Sequence, residues 1–282
     1  MEIIRTSAEM TAWANRIIAA GQTIGLVPTM GFFHEGHLCL MRKAGEKASH
    51  TVVSLFVNPI QFGAGEDLGR YPRDFSRDCR LAEAEGVDVL FAPEPQEMYP
   101  SEACTRVIVS GLTDGLCGRS RPGHFAGVAT VVAKLFHIIK PHSAVFGRKD
   151  FQQLAVIERM VADLNFAVEI IGHPIVREPD GLAMSSRNTY LSAPERQAAL
   201  CLFRAIDHAR KRARAGLVDS RVLLREVEGV LQAEGVTVEY ASIVDQTTLQ
   251  PQAELRKGVV LAMAIKVGAT RLIDNDNLFE EN

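Results

Sequence analysis

The chain has 282 residues, of which 47% are apolar and 23% charged, a composition typical of a globular protein with one or two domains. Its net charge of −3 gives no general attraction to nucleic acid or anionic membranes, and no segment approaches the ~20 consecutive apolar residues that span a bilayer. The five cysteines are scattered without a C-x-x-C pair, and the first residues lack a signal-peptide pattern, so we expect a reduced, cytoplasmic protein.

The first part of the chain alternates between predicted strands and predicted helices. The predicted helices are Ser7–Ala20, Leu38 to about Ser49, Asp74–Glu85, Gly127–Ile139 and Asp150–Leu164. The predicted strands are Thr23–Val27, Thr51–Val57, Val87–Phe91, Arg106–Val109, Ser143–Phe146 and Val168–Ile171. Unbroken apolar strands that alternate with helices indicate a parallel sheet covered on both faces. The sequence therefore predicts an α/β, doubly wound (Rossmann-like) fold.

The pattern changes after the turn Pro179-Asp180-Gly181. Two consecutive helices are predicted, followed by three strands that we expect to be antiparallel: Glu195–Ala215, Ser220–Glu234, Thr237–Val244, Val259–Val267 and Thr270–Ile273. This change predicts a second, smaller α+β domain, so we divide the chain into residues 1–175 and residues 176–282.

The loop Pro28–His37 (PTMGFFHEGH) follows a predicted strand and precedes a helix. In doubly wound sheets, ligands bind beyond the carboxyl ends of the strands, and a helix start offers N–H groups to an anion. Gly31 and Gly36 permit close backbone approach, while His34 and His37 would add side-chain donors. The loop predicts a polyphosphate site, although two histidines that only cap the helix would fit the same pattern. No third His or Cys stands nearby at zinc-ligand spacing, which disfavours a metal site.

The segment Phe146–Gln153 (FGRKDFQQ) also follows a strand and opens a helix. Lys149 could reach phosphates gathered at that helix start. Asp150 and Gln153 have the spacing of a capping box, an arrangement that needs no ligand. Both interpretations can hold together, because a cap would fix the direction in which the lysine points.

Three further polar segments have a functional and a structural interpretation. Asn58 and Gln61 (FVNPIQFG) suit a small hydroxylated substrate or an ordinary Asn-Pro turn. Met184–Asn188 (MSSRN) is expected to be a mobile loop at the domain boundary. Its hydroxyls and guanidinium suit binding of a triphosphate, and the alternative is an ordinary polar loop. Arg119–Phe125 could add cations near an anionic substrate or form a basic surface loop. We expect four of the polar groups to converge on one rim of the sheet, because each follows a strand.

Taken in order, six segments resemble the pantothenate synthetase (pantoate–β-alanine ligase) family over essentially the whole chain: PTMGFFHEGH, FVNPIQFG, EDLGRYPRDF, RPGHFAGVATVV, FGRKDFQQL and GLAMSSRN. H-x-G-H alone is shared with a wider nucleotidyltransferase superfamily. The resemblance implies a nucleotide- and pantoate-binding domain and a small C-terminal lid domain. It implies ATP-dependent condensation of pantoate with β-alanine to pantothenate, with release of AMP and diphosphate, through an enzyme-bound pantoyl adenylate. It also implies a need for Mg²⁺ and a cytoplasmic homodimer. The net charge and the lack of an aromatic-basic stripe disfavour a nucleic-acid partner, and the charge likewise gives no reason to expect a membrane partner.

The matched motifs imply a role for individual residues. Catalysis would fall to His37, as proton donor, with His34, Lys149 and Arg187. Gln61, Gln153 and Asn58 would contact pantoate or β-alanine. ATP would contact a larger set: Met30, Gly31, Phe32, Phe33, His34, Glu35, Gly36, His37, Gly147, Arg148, Lys149, Asp150, Val176, Met184, Ser185, Ser186 and Arg187. No magnesium ligand is assigned.

Two positions depart from the family pattern, and two other functions fit part of the sequence. Arg148 stands where the family usually has Glu, and Phe33 where it more often has Leu; Arg148 adds charge beside the phosphates or points to solvent. Another adenylyl- or cytidylyltransferase of the superfamily would share the histidine loop but would not require the NPIQFG and KDFQQ amides. A non-catalytic nucleotide-binding regulator would bind ATP without turnover.

Overall fold

The computed structural model describes residues 1–280, which form two compact units. The large-sheet unit comprises residues 1–111, 121–148 and 156–173. The small-sheet unit comprises residues 112–120 and 149–155 and continues from Pro174 to the end of the described chain. Each unit is assembled from separate stretches, whereas the predicted domains are contiguous. A change of periodicity along the chain cannot reveal such stretches, because their membership is decided by packing.

A six-stranded parallel sheet forms the centre of the large-sheet unit. Its strands in chain order are β1 (Glu2–Ile4), β2 (Ile24–Thr29), β3 (His50–Leu55), β4 (Val89–Phe91), β5 (Ser143–Gly147) and β6 (Glu169–His173). The order across the sheet is β1-β4-β3-β2-β5-β6. From β2 the chain first adds β3 and β4 on one side and later β5 and β6 on the other. The α/β, doubly wound prediction is confirmed.

Ten α-helices occur within residues 1–280: α1 (Ser7–Ala19), α2 (Glu35–Lys47), α3 (Phe75–Ala84), α4 (Pro95–Met98), α5 (Leu116–Ser120), α6 (His124–Ile139), α7 (Phe151–Asp163), α8 (Ala193–Ala199), α9 (Cys201–Arg214) and α10 (Ser220–Gln232). Short 3₁₀ turns are present at Pro59–Gln61, Asp67–Arg70, Arg148–Asp150 and Ser186–Tyr190. No helix among the described residues is both long enough and apolar enough to cross a membrane.

Helices cover both faces of the large sheet. On one face, Leu40 and Met41 of α2 pack with Val27 and Val53 in a buried apolar cluster. On the other face, α1 packs against α6, which contacts β2. Helix α2 lies especially close to β2 at Gly25, where an added Cβ would be 2.9 Å from the carbonyl oxygen of Ala44. The missing side chain of a single glycine therefore sets how near α2, which starts at the histidine loop, comes to the sheet.

A three-stranded antiparallel sheet forms the small-sheet unit, in the order β7 (Thr237–Asp245), β8 (Val259–Val267), β9 (Thr270–Asn277). One face of this sheet packs on α9 and α10 through a buried cluster that includes Ile206, Leu223 and Met263. A separate cluster joins Val244 and Val260 to Ala155 of α7. The predicted smaller α+β fold with an antiparallel sheet is confirmed.

Two predictions about single elements were wrong, and one short strand was missed. Arg106–Val109 lies outside any strand, and the N–H of Val107 instead donates to Thr130 Oγ1 of α6 at 2.9 Å. The predicted helix Glu195–Ala215 is divided into α8 and α9 at Leu200, whose ψ of −11° interrupts regular α-helical geometry. The short strand β1 was not predicted, because three residues carry too little periodicity to register.

Candidate active site

The carboxyl ends of β2, β3 and β5 lie at one edge of the large sheet, because neighbouring strands are parallel. The loop from Met30 follows β2, the Pro59–Gln61 turn follows β3 by a few residues, and Arg148 follows β5. The strand order reverses between β2 and β5, and doubly wound sheets bind ligands at such a reversal. The structure thus places the histidine loop at the position where this fold forms a nucleotide site.

The histidine loop is held in an unusual backbone shape by a buried carboxylate. Gly31 has a φ of +85° and Phe32 a φ of +53°, which for a residue with a side chain is an uncommon left-handed conformation. Asp78 of α3 accepts the N–H of Phe32 at 2.6 Å and that of Phe33 at 2.8 Å. A Cβ added at Gly31 would stand 3.0 Å from Asp78 Oδ2. Gly31 and Asp78 together therefore determine the path of the loop.

Asp78 is a functional candidate that the sequence did not reveal. Its residue is 1% exposed, and burial raises the pKa of its carboxyl above the ordinary value, although the N–H groups of Phe33 and Phe32 oppose that rise. The guanidinium of Arg77 lies 5.4 Å from the centre of the Phe32 ring. Two loop amides are occupied by this carboxylate and are therefore not available to an anion.

His34 and His37 cap the start of α2 through each other. His34 is the N-cap residue, and its N–H donates to His37 Nδ1 at 3.3 Å, while its carbonyl accepts the N–H of His37 at 2.8 Å. The two rings stack with their centres 4.1 Å apart. A ring nitrogen that accepts an N–H carries no proton, so this contact assigns Nδ1 of His37 as the acceptor. The structural interpretation, in which the two histidines cap the helix, is confirmed.

Asn58 and Gln61 form a buried amide pair after β3. Asn58 Nδ2 donates to Gln61 Oε1 at 2.9 Å and to the carbonyl of Gly127 at 3.1 Å, while the Tyr99 hydroxyl donates to Asn58 Oδ1 at 2.9 Å. Burial raises the pKa of Tyr99, which keeps that hydroxyl protonated as a donor. Gln61 Nε2 contacts Met30 Sδ at 3.3 Å. The amide of Asn58 is thus engaged by protein on both sides, and its contacts orient Gln61.

The main chain of Gln61 is held by a second polar network. His124 Nδ1 donates to the carbonyl of Gln61 at 2.9 Å, and Arg121 donates to His124 Nε2 at 2.9 Å. Arg121 also forms a bidentate pair with Glu66 at 2.8 and 2.7 Å. Burial opposes ionisation of Glu66, but hydrogen bonds from Arg121 outweigh it and hold the pKa of Glu66 below its ordinary value. Arg121 is therefore part of a network that supports Gln61, and the surface-loop interpretation does not describe it.

Lys149, Asp150 and Gln153 belong to the small-sheet unit. Lys149 and Asp150 complete the 3₁₀ turn before α7, so the helix starts at Phe151 and Asp150 lies inside the turn. Lys149 and Gln153 are partly exposed. The neighbouring Gln152 is buried, and its amide bridges the carbonyls of residues 112 and 115 and the N–H of residue 117, each at 2.9 Å. Gln152 is therefore structural, which leaves Gln153 as the glutamine with an available side chain.

The segment from Val176 to Arg187 forms a closed hairpin in the small-sheet unit. The N–H of Met184 donates to the carbonyl of Val176 at 3.0 Å. The adjacent residues, Arg177 and Ala183, form an antiparallel bridge. Ser185 caps the following 3₁₀ turn by accepting the N–H of Arg187 at 3.3 Å. Asn188 Nδ2 donates to the Glu178 side chain at 2.7 Å and to the Ala183 carbonyl at 3.1 Å, which ties this turn to the hairpin. Both serines and the arginine predicted to bind phosphate are therefore placed on one short turn.

The predicted site residues divide between the two units. The large-sheet unit holds residues 30–37, Asn58, Gln61, Gly147 and Arg148. The small-sheet unit holds Lys149, Asp150, Gln153, Val176 and residues 184–187. The loops after β2, β3 and β5 begin at one edge of the large sheet, and the joint action of the two sets of residues stays a prediction. Within residues 1–280, no three His, Cys, Asp or Glu side chains are grouped so that they could hold a metal ion.

Comparisons with known proteins agree on one family. The family model for pantoate–beta-alanine ligase matches residues 2–277. The chain is 56% identical to the pantothenate synthetase of Heliobacterium modesticaldum, with 98% of each chain covered, and 52% identical to that of Syntrophus aciditrophicus, with 100% of this chain and 99% of the relative covered.

Solved structures show the same similarity. The crystal structure of pantothenate synthetase from Thermus thermophilus has a TM-score of 0.94 and 46% identity, covering 99% of this chain and 100% of that one. The pantoate–beta-alanine ligase of Francisella tularensis, solved with beta-gamma ATP and beta-alanine, has a TM-score of 0.85 and 32% identity, covering 100% of this chain and 99% of that one.

Proposed function

The chain belongs to the pantoate–β-alanine ligase family, and we propose that it makes pantothenate through an enzyme-bound pantoyl adenylate. The observation that carries this proposal is the placement of His37, at the start of α2, beyond the end of β2 where the strand order reverses. The relative that was solved with beta-gamma ATP and beta-alanine supports the same two small molecules here.

The first step activates the acid. A carboxylate oxygen of pantoate attacks the α-phosphorus of ATP, the new O–P bond forms, and the bond from that phosphorus to the bridging oxygen breaks as diphosphate leaves. Both reactants are anions, so the protein has to align them and stabilise the negative charge that develops. We assign this task to His34 and His37 in the large-sheet unit and to Lys149, Ser185, Ser186 and Arg187 in the small-sheet unit.

Pantoate would be held by the glutamine amides. Gln61 is fixed through its side chain by Asn58 and through its carbonyl by His124, so its Nε2 has a defined direction. Gln153 is the second proposed contact, and Asn58 acts through Gln61. The other matched positions would line ATP: residues 30–33, Glu35, Gly36, Gly147, Arg148, Asp150, Val176 and Met184.

The second step forms the amide. The lone pair of the β-alanine amine attacks the acyl carbon, the C–N bond forms, the bond from that carbon to the phosphate oxygen breaks, and AMP leaves while the amine loses a proton. No enzyme nucleophile is required. Closure of the Met184–Asn188 segment over the bound adenylate would keep water from hydrolysing it.

We treat Mg²⁺ as part of the substrate MgATP. Magnesium is commonly held by one or two carboxylates together with the substrate phosphates rather than by a protein cage. We further propose a homodimer in the cytoplasm whose ligands are small molecules rather than nucleic acid or membrane.

Omitting one substrate at a time tests this function. With ATP, pantoate and β-alanine, the protein should release AMP, diphosphate and pantothenate in equal amounts. Without β-alanine it should still exchange labelled diphosphate into ATP, and without pantoate it should not. Exchange that needs no pantoate would instead indicate another nucleotidyltransferase, and ATP binding without any turnover would indicate a regulator.

A further inference from the structure

Strand β9 carries three consecutive polar residues that are almost inaccessible to solvent. Asp274 is 1% exposed, Asn275 8% and Asp276 4%. Burying such groups is unfavourable unless each is hydrogen-bonded. The two aspartates form bidentate pairs, Asp274 with Arg177 and Asp276 with Arg210. None of these residues takes part in the proposed chemistry. We therefore ask which segments of the protein the three polar residues hold in place.

Asn275 holds the main chain of Lys149. Successive side chains of a strand alternate between its faces, so Asn275 faces away from its two acidic neighbours. Its Nδ2 donates to the carbonyl oxygen of Lys149 at 2.8 Å. Lys149 lies in the turn before α7 and is partly exposed, so this bond fixes the backbone from which the ammonium group projects.

Asp274, the residue before Asn275, holds the hairpin of residues 176–187. It accepts Arg177 at 2.7 and 3.0 Å, and Arg177 also donates to the carbonyl of Gly181 at 3.0 Å within the hairpin. The main-chain N–H of Asn275 donates to Asp274 Oδ1 at 2.9 Å, which connects the Asp274 carboxylate to the backbone of the next residue. Two successive residues of β9 therefore fix both segments of the small-sheet unit that are proposed to bind phosphate.

We propose that Asn275 is a positioning residue that sets the location of the Lys149 ammonium group, with Asp274 orienting the hairpin beside it. This inference rests on the proposed function, since it assigns Asn275 to the step in which Lys149 stabilises phosphate charge. Asn275 contacts the main chain of Lys149, so it acts through that residue and does not itself need to touch a substrate.

The test is a double-mutant cycle between the two positions, read by pantoate-dependent diphosphate exchange. Asn275→Ala should lower the exchange rate by roughly 10- to 100-fold, the scale expected when a catalytic group is displaced by about 1 Å. Because removal of the Asn275 amide acts through Lys149, the double variant Lys149→Ala/Asn275→Ala should exchange diphosphate no more slowly than Lys149→Ala alone. The matched control is Asn277→Ala on the same strand, whose amide donates to the Gln246 side chain at 3.0 Å, and its rate should stay within about twofold of wild type.

Each other outcome overturns a defined statement. Losses that multiply in the double variant would show that Asn275 does not act through Lys149. The same conclusion would follow if Asn275→Ala exchanged diphosphate as fast as Asn277→Ala. It would also follow if Lys149→Ala exchanged diphosphate as fast as wild type. If Asn275→Ala does not fold, the nearly isosteric Asn275→Asp, which lacks the donor, takes its place in the cycle. A wild-type protein that makes no pantothenate would instead reject the proposed function.

Discussion

Replacing Gly127 with alanine should displace the turn that carries Gln61. A Cβ built on Gly127, inside α6, would stand 2.5 Å from the carbonyl oxygen of Ile60, 2.6 Å from Gln61 Cα and 2.7 Å from Gln61 N. Ordinary contact begins near 3.4 Å, so the turn would have to move by about 0.7 to 0.9 Å. The neighbours are backbone atoms, which cannot move aside as a flexible side chain can.

Two opposing effects determine the size of the change. Alanine is favoured over glycine in a helix interior by about 1 kcal/mol. Overpacking against a fixed neighbour costs about 1 to 3 kcal/mol. The free energy of unfolding should therefore fall by roughly 0 to 2 kcal/mol. Moving Gln61 by nearly 1 Å should raise the KM for pantoate by roughly tenfold or more while the KM for ATP changes little.

Gly45→Ala is the matched control in the same unit. Gly45 lies in α2, and a Cβ there would meet Thr51 Oγ1 at 3.6 Å, an ordinary contact. This variant should gain up to about 1 kcal/mol and keep wild-type kinetics. Thermal denaturation and pantoate saturation of the exchange reaction measure both effects. The reasoning is refuted if Gly127→Ala is as stable as Gly45→Ala and binds pantoate like wild type.

Four further changes should have distinct effects. His37→Ala should lower pantoate-dependent diphosphate exchange by roughly 10² to 10³, and near-normal exchange would remove His37 from the mechanism. Gln61→Ala should weaken pantoate more than ATP in a binding titration, whereas equal losses would count against a pantoate contact. Asp78→Asn turns one acceptor of the loop amides into a donor; it should cost about 1.5 to 3 kcal/mol and raise the KM for ATP, and an unchanged KM would limit Asp78 to stability. Asp219→Ala should lower the unfolding midpoint at pH 7. The side chain and N–H of Arg221 hold the pKa of folded Asp219 at about 2, below its ordinary 3.8, so this stabilisation is complete above 3.8 and is lost as the pH falls to about 2. A difference from wild type that is undiminished at pH 2 would contradict that cause.

The sequence was sufficient to locate groups that stand close together along the chain. The loop containing His34 and His37 follows a strand and starts a helix, and both signals are local. Asp78 contacts that loop from 45 and 46 positions away, and no local pattern marks a carboxylate that will accept distant amides. The same limitation hid Asn275, whose contact with Lys149 spans 126 positions.

Neighbouring glutamines show a second limit. Gln152 and Gln153 are chemically identical, and only the rotation of α7 decides that the first is buried and bonded while the second is partly exposed. Arg106–Val109 shows a third limit, because a strand-like composition forms a strand only where another strand is available as a partner. The position of a motif after a strand was therefore a better guide to this structure than the strand propensity of single segments.

The closeness of α2 to β2 at Gly25 has a consequence for saturation mutagenesis. Every replacement at that position adds at least one carbon atom, 2.9 Å from a helix carbonyl, so a survival screen should reject all of them. Position 25 would then score as intolerant as a reacting residue although it is assigned no ligand. At position 25 the screen would therefore detect close packing between α2 and β2 and not a catalytic role. A catalytic role would have to be inferred from positions where a substitution of nearly the same size and shape also abolishes function.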